Sequence, residues 1–206
     1  MKTITILLAA MAITISACNQ AKKTDEKIDH SLPHKSSKTG SVMMEAMDES
    51  MMAMHKAKQT DNADYDFAAM MIPHHEGAIK MAEAVVKEGK SKALIDFSNK
   101  VIVAQQKEIT MLKDFLKTAS QEPIKEAATF KKALDASMVP MMEGMGQVKL
   151  TNDIDKDFVA LMIPHHQSAV DMAKAYLPFA NNAQIKAIAE QILKAQEEEI
   201  KWLQKQ

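Results

Sequence analysis

The chain of 206 residues has one cysteine, Cys18, no arginine, 5 glycines, 6 prolines and only 4% aromatic residues. A single cysteine excludes an internal disulfide and any Cys-x-x-Cys redox or zinc site. Without arginine, the planar fork that reads phosphate in two-pronged fashion is missing; all 26 basic side chains are lysine. The formal net charge of -1 supplies no pull toward nucleic acid or an acidic membrane surface. Few rings mean that the core must be filled by aliphatic and thioether side chains. Few glycines and prolines leave little to interrupt helices.

What the chain does have is methionine, 18 of them, within a composition rich in Ala, Lys, Glu, Gln and Leu. These are good helix formers, so the fold class expected is all-α. The apolar run Ile4 to Ile15 follows Lys2 and precedes small residues, the order of a signal peptide. It is short for a membrane span, which needs about 20 residues. Ile15-Ser16-Ala17-Cys18 resembles the bacterial lipobox, in which the cysteine is lipidated and becomes the new N-terminus. The alternative is a soluble secretory signal with an incidental cysteine. The organisation expected is a lipoprotein signal peptide at 1–17, a polar tether at 18–40 and a helical domain at 41–206. His30 and His34 fall in the tether, as part of a solvated tail or as an auxiliary metal-capture pair.

The domain repeats itself. Asp64-Tyr-Asp66-Phe67 through Pro73-His74-His75 recurs as Asp155-Lys-Asp157-Phe158 through Pro164-His165-His166, an offset of 165 − 74 = 91. The same offset carries Met81 onto Met172, Gln105 onto Gln196, Glu108 onto Glu199, and Met47, Met51 and Met54 onto Met138, Met142 and Met145. No insertion is needed, so the repeat is a duplication, with units at about 41–118 and 132–206. Each unit predicts a Met-rich helix (42–57, 133–148), a second helix from about Asp64 or Asp155 to 88 or 177, and a third (91–118, 182–206). In the second Met-rich segment Pro140, Gly144 and Gly146 weaken the expectation of helix. Four long helices in two related pairs predict an antiparallel four-helix bundle, with the Met-rich segments as additions.

The chemistry expected centres on the histidine pairs. Met71 lies one turn before His74 and His75, and Met81 two turns after His74; Met162 and Met172 repeat this around His165 and His166. Pro73 and Pro164 sit beside them, either kinking a continuous helix or starting a new one. A Met stripe at helical spacing is most often core, and a lone histidine on an apolar face is usually a satisfied core residue. Here that bland account must explain two identical His-His pairs flanked by matched Met, and Met used where Leu would specify a core better. Thioether sulfur suits Cu(I) and imidazole suits several metals, so the ion expected is copper. Cu(I) is favoured, Cu(II) is the second state, and Ag(I) is the redox-silent mimic. No Glu-x-x-His precedes either pair, which disfavours a di-iron oxidase.

The pattern Asp-x-Asp-Phe-x-x-x-Met-Ile-Pro-His-His-x-x-Ala-x-x-Met-Ala, with Leu161 standing at the position of Met70 in the second copy, resembles the bacterial domain of unknown function 305 family over about residues 41–206. The resemblance implies a ferritin-like helical bundle and an exported protein that binds copper through Met and His. It implicates His74, His75, His165 and His166, with Met71, Met81, Met162 and Met172 beside them, and Met47, Met51, Met54, Met138, Met142 and Met145 as the Met-rich part. Leu161 in place of Met70 and Gly146 in place of His55 imply unequal halves. The function expected is sequestration or relay of copper at the cell envelope, without catalysis. A copper-dependent redox enzyme and a metal-free helical interaction module are the competing expectations. The partners expected are the metal ion, the membrane through Cys18 and envelope copper-handling proteins, with no nucleic acid among them.

Overall fold

The computed structural model describes residues 38–206, with side chains from Val42 onward. Cys18, the leader, His30 and His34 lie outside the described residues. Six helices follow one another: α1 (Lys38–Lys56), α2 (Ala63–Glu88), α3 (Lys92–Leu116), α4 (Ala127–Gln147), α5 (Ile154–Tyr176) and α6 (Ala183–Leu203), with a single 3-10 turn at Leu177–Phe179. Helix α1 begins inside the stretch read as tether. Among the described residues there is no strand, and no helix is long and apolar enough to cross a membrane.

Both units enter their second helix by the same device. Asp61 and Asn152 take left-handed backbone conformations, φ 61° and 67°, which Asp and Asn tolerate better than most residues. Asn62 and Asp153 then cap α2 and α5. Asp64 and Asp155 fall in the first turn as expected, but capping belongs to the residues two positions earlier. Asp66 accepts from the Thr60 backbone N–H at 2.7 Å and the Asp61 N–H at 3.1 Å; Asp157 does the same with Thr151 and Asn152. Burial pushes the Asp66 carboxyl up from its ordinary range, and those hydrogen bonds pull it back.

The short links 89–91 and 177–182 fold each second helix back on its third, α2 on α3 and α5 on α6. The two hairpins join through α2 against α5 and α3 against α6, which makes the antiparallel four-helix bundle. Helix α1 lies over α2 and α5, and α4 over α5. The duplicated Asp residues tie the halves reciprocally. Asp64 accepts from the Asn181 and Asn182 backbone N–H groups at 3.1 and 3.0 Å, and from the Tyr176 hydroxyl at 2.5 Å. Asp155 accepts from the Lys90 and Ser91 N–H groups at 3.0 and 2.8 Å. A Cβ on Gly89 would stand 2.8 Å from the Asp155 Oδ1, so this approach needs glycine. Each carboxylate thus sits at the N-terminal end of the other unit's third helix, where the helix dipole favours negative charge.

Helices α2 and α5 run unbroken through Pro73 and Pro164, which settles the choice between one helix and two. Helix α4 likewise continues through Pro140 and Gly144 to Gln147. On α2 the Ser50 hydroxyl of α1 donates to the Pro73 carbonyl at 2.9 Å. A Cβ on Gly77 would meet the Ser50 Cβ at 2.6 Å, so glycine is what lets α1 lie this close.

Candidate metal centre

Methionine fills the core that surrounds the histidines. Met71, Met81, Met162 and Met172 are all 0% exposed, and Met47, Met54 and Met145 are buried. Met51 and Met138 are half-buried against the same core, and Met142 is half-buried. Buried Met43, Met44, Met70 and Met141 belong to it too and were not singled out from sequence. On α4 the buried face runs Phe130, Leu134, Ser137, Met141, Met145. Pro140 and the glycines weaken the expectation of helix there, so this buried face is not apparent from the sequence.

The four motif histidines sit at the middle of this core, His74 and His75 from α2, His165 and His166 from α5, all at most 1% exposed. His74 and His165 lie ring to ring, centroids 3.9 Å apart. His75 and His166 flank them, 6.0 and 6.2 Å from their own neighbours. Each outer histidine meets a carboxylate of the next helix. His75 Nε2 is 2.9 Å from Glu108 Oε2 on α3, and His166 Nε2 is 3.0 Å from Glu199 Oε2 on α6. These approaches have a hydrogen bond's length but an oblique direction. Glu108 and Glu199 are related by the same offset as the histidines, 199 − 108 = 91. The repeat made them visible in the sequence, but not what they touch.

The inner pair is asymmetric. His74 Nε2 lies 2.7 Å from Ser168 Oγ, and that hydroxyl donates to the His165 carbonyl at 2.7 Å. The position equivalent to Ser168 is Gly77, since 168 − 91 = 77, so His165 receives no such contact. Crowding by Ser50 at Gly77 forbids it.

Burial, and then the charges of His75 and His166, hold the His74 imidazole well below the usual histidine range. Burial, and then His74, His166 and His75, do the same to His165. Both rings are therefore neutral at neutral pH, with a lone pair ready for a Lewis acid. The Nδ1 atoms of all four histidines are buried without a hydrogen-bond partner, as is Nε2 of His165, while Nε2 of His75 and His166 has only the oblique carboxylate beside it. So are the side-chain amides of Gln105 and Gln196, one turn from Glu108 and Glu199. Each such group costs about 1–3 kcal/mol while unsatisfied. A soft or borderline ion would take up the imidazole lone pairs, and the surrounding thioethers suit the same ion. Among the described residues no three His, Cys, Asp or Glu side chains form a ready-made cage. A third donor to an ion held by a histidine pair would thus fall to sulfur.

Solved structures of CopM resemble this chain. CopM in the Ag-bound form (by soaking) is 27% identical with a TM-score of 0.52, covering 69% of this chain and 92% of that one. CopM in the apo form has the same identity and TM-score, covering 69% and 93%. CopM in the Cu(II)-bound form is 26% identical at a TM-score of 0.52, covering 69% and 93%. No curated protein matches. One family profile matches twice, over residues 8–116 and 64–206. The chain belongs to the family described as Domain of unknown function (DUF305).

Proposed function

We propose that this is a copper-binding protein of the bacterial cell envelope, lipid-anchored at Cys18, which holds copper as cargo between its two His-His motifs and catalyses no reaction. The observation that carries the reading is the meeting of four neutral-leaning or carboxylate-paired histidines, with unpartnered Nδ1 atoms, inside a methionine-packed core. The likeness to CopM, solved with Ag and with Cu(II), supports copper as the ion. The leader-like run before Cys18 supports export and anchoring.

In this reading His74, His75, His165 and His166 supply nitrogen, and Met71, Met81, Met162 and Met172 supply sulfur. Half-buried Met51, Met138 and Met142, with buried Met47, Met54 and Met145, would pass the ion inward along α1 and α4. Thioethers need no deprotonation and do not oxidise to disulfides, so the set works in an oxidising compartment. Deep burial of the donors suits sequestration or relay more than turnover of a substrate. Cu(I) is the favoured state, with copper tolerance or homeostasis as the role. The test is competition between the full chain and a chromogenic Cu(I) chelator. Tight Cu(I) binding is expected, far above Zn(II) and Fe(II); Zn(II) binding as tight as Cu(I) would refute the reading.

A further inference from the structure

The hydrogen-bond partners at the bundle centre decide which histidine nitrogen is available. The Ser168 hydroxyl carries one proton and gives it to the His165 carbonyl, which can only accept. His74 Nε2, 2.7 Å from the same oxygen, must then be the donor. That leaves the lone pair of His74 on Nδ1. His75 and His166 reach the same state by another route. A carboxylate oxygen at 2.9 or 3.0 Å from Nε2, even obliquely placed, favours a protonated Nε2, because the other tautomer sets two lone pairs against each other. The free lone pair is again on Nδ1, and in all three rings Nδ1 is buried and unpartnered. Three residues of three different helices, α3, α5 and α6, thus impose one tautomer.

We propose that Glu108, Glu199 and Ser168 are positioning residues that hold His75, His166 and His74 as Nε2–H tautomers and present Nδ1 as the metal-donor atom. The proposal rests on the reading of the four histidines as ligands. It adds the atom that binds and three residues outside the ligand set. A carboxylate behind an imidazole makes its far nitrogen a better donor, and removing such a partner typically weakens metal binding 10- to 100-fold. The two carboxylates also place negative charge beside the outer histidines, which favours a cation between them. His165 is the exception. No carboxylate or hydroxyl stands within hydrogen-bond distance of its ring nitrogens, so no such residue selects its tautomer.

The test is long-range proton–nitrogen NMR on the full chain with labelled histidine, before and after Ag(I). Nε2–H signatures are expected for His74, His75 and His166 in the apo protein, with Ag(I) shifting Nδ1 while Nε2 keeps its proton. Glu108→Gln, Glu199→Gln and Ser168→Ala should each lower Ag(I) affinity about 10- to 100-fold. Each should also let the affected ring populate the Nδ1–H tautomer, a change that a purely structural role would not produce. Glu199, at 23% side-chain exposure, tolerates substitution even if the more buried Glu108 does not. Nδ1–H tautomers in the apo wild type, Ag(I) binding through Nε2, or wild-type affinity and tautomers in the variants would each overturn the proposal. Failure of the wild type to bind Ag(I) would overturn the functional reading along with it.

Discussion

The rings of His74 and His165 lie 3.9 Å apart, centroid to centroid, although each belongs to a different copy of the duplicated unit. Charging either of these buried rings would cost its solvation by water, and burial holds both well below the usual histidine range. In the unfolded chain both titrate near the ordinary value of 6.5. The native state therefore binds fewer protons than the unfolded state below that pH.

Apo stability should accordingly be level above about pH 6.5 and fall as pH drops below it, since protonation favours the unfolded chain. Each histidine contributes at most about 1.4 kcal/mol per pH unit to this slope. Urea denaturation at pH 7.5 and pH 5 checks it. Replacing both His74 and His165 by Gln should flatten the slope, and an unchanged slope in that variant would assign the effect elsewhere.

The reciprocal carboxylate tie predicts unequal losses. Asp64 accepts three hydrogen bonds, one from the buried Tyr176 hydroxyl, whereas Asp155 accepts two. Asp64→Ala should cost about 2–4 kcal/mol and Asp155→Ala about 1–2 kcal/mol, because hydrogen bonds to a charged group are worth more than neutral ones. Thermal melts of the two variants compare them directly. Equal losses would mean that Tyr176 adds nothing.

Glycine has opposite meanings at two helical positions. A methyl at Gly77 collides with Ser50, so Gly77→Ala should destabilise by about 1–3 kcal/mol despite better helix propensity. Ser50→Gly should recover part of that loss. At Gly146 nothing lies within 4 Å of the added Cβ, so Gly146→Ala should stabilise by up to about 1 kcal/mol. Melting temperatures read both signs.

Sulfur can be tested apart from volume. Met71→Leu and Met162→Leu keep the core nearly the same size and should cost less than about 1.5 kcal/mol in the apo protein. If the thioethers are donors, the same changes should lower Cu(I) affinity clearly. Loss of stability without loss of affinity would return these residues to packing alone.

Much of this was legible in the sequence because the duplication preserves register. The offset of 91 places the helices, the histidine pairs and their flanking methionines without ambiguity. Roles that depend on pairing between helices were not legible. Glu108 repeats as Glu199, but only the α2–α3 and α5–α6 registers show that each faces a histidine. Asp64 and Asp155 read only as residues at the start of a helix, because their partners are distant in sequence: Tyr176 is 112 residues from Asp64, and Ser91 is 64 residues from Asp155. Ser168 looks like an ordinary helix-surface serine, and its contact with His74 exists only because α5 packs antiparallel on α2.

The most direct test of the central claim is a Cu(I) competition titration of the full chain beside two variants, His74→Gln with His75→Gln and His165→Gln with His166→Gln. Gln is close to His in volume and keeps a side chain able to hydrogen-bond Glu108 or Glu199. Because His74 and His165 are in contact, either double substitution should weaken all tightly bound Cu(I), not merely half of it. Retention of wild-type Cu(I) affinity and stoichiometry by both variants would contradict the account and move the site to the methionines of α1 and α4.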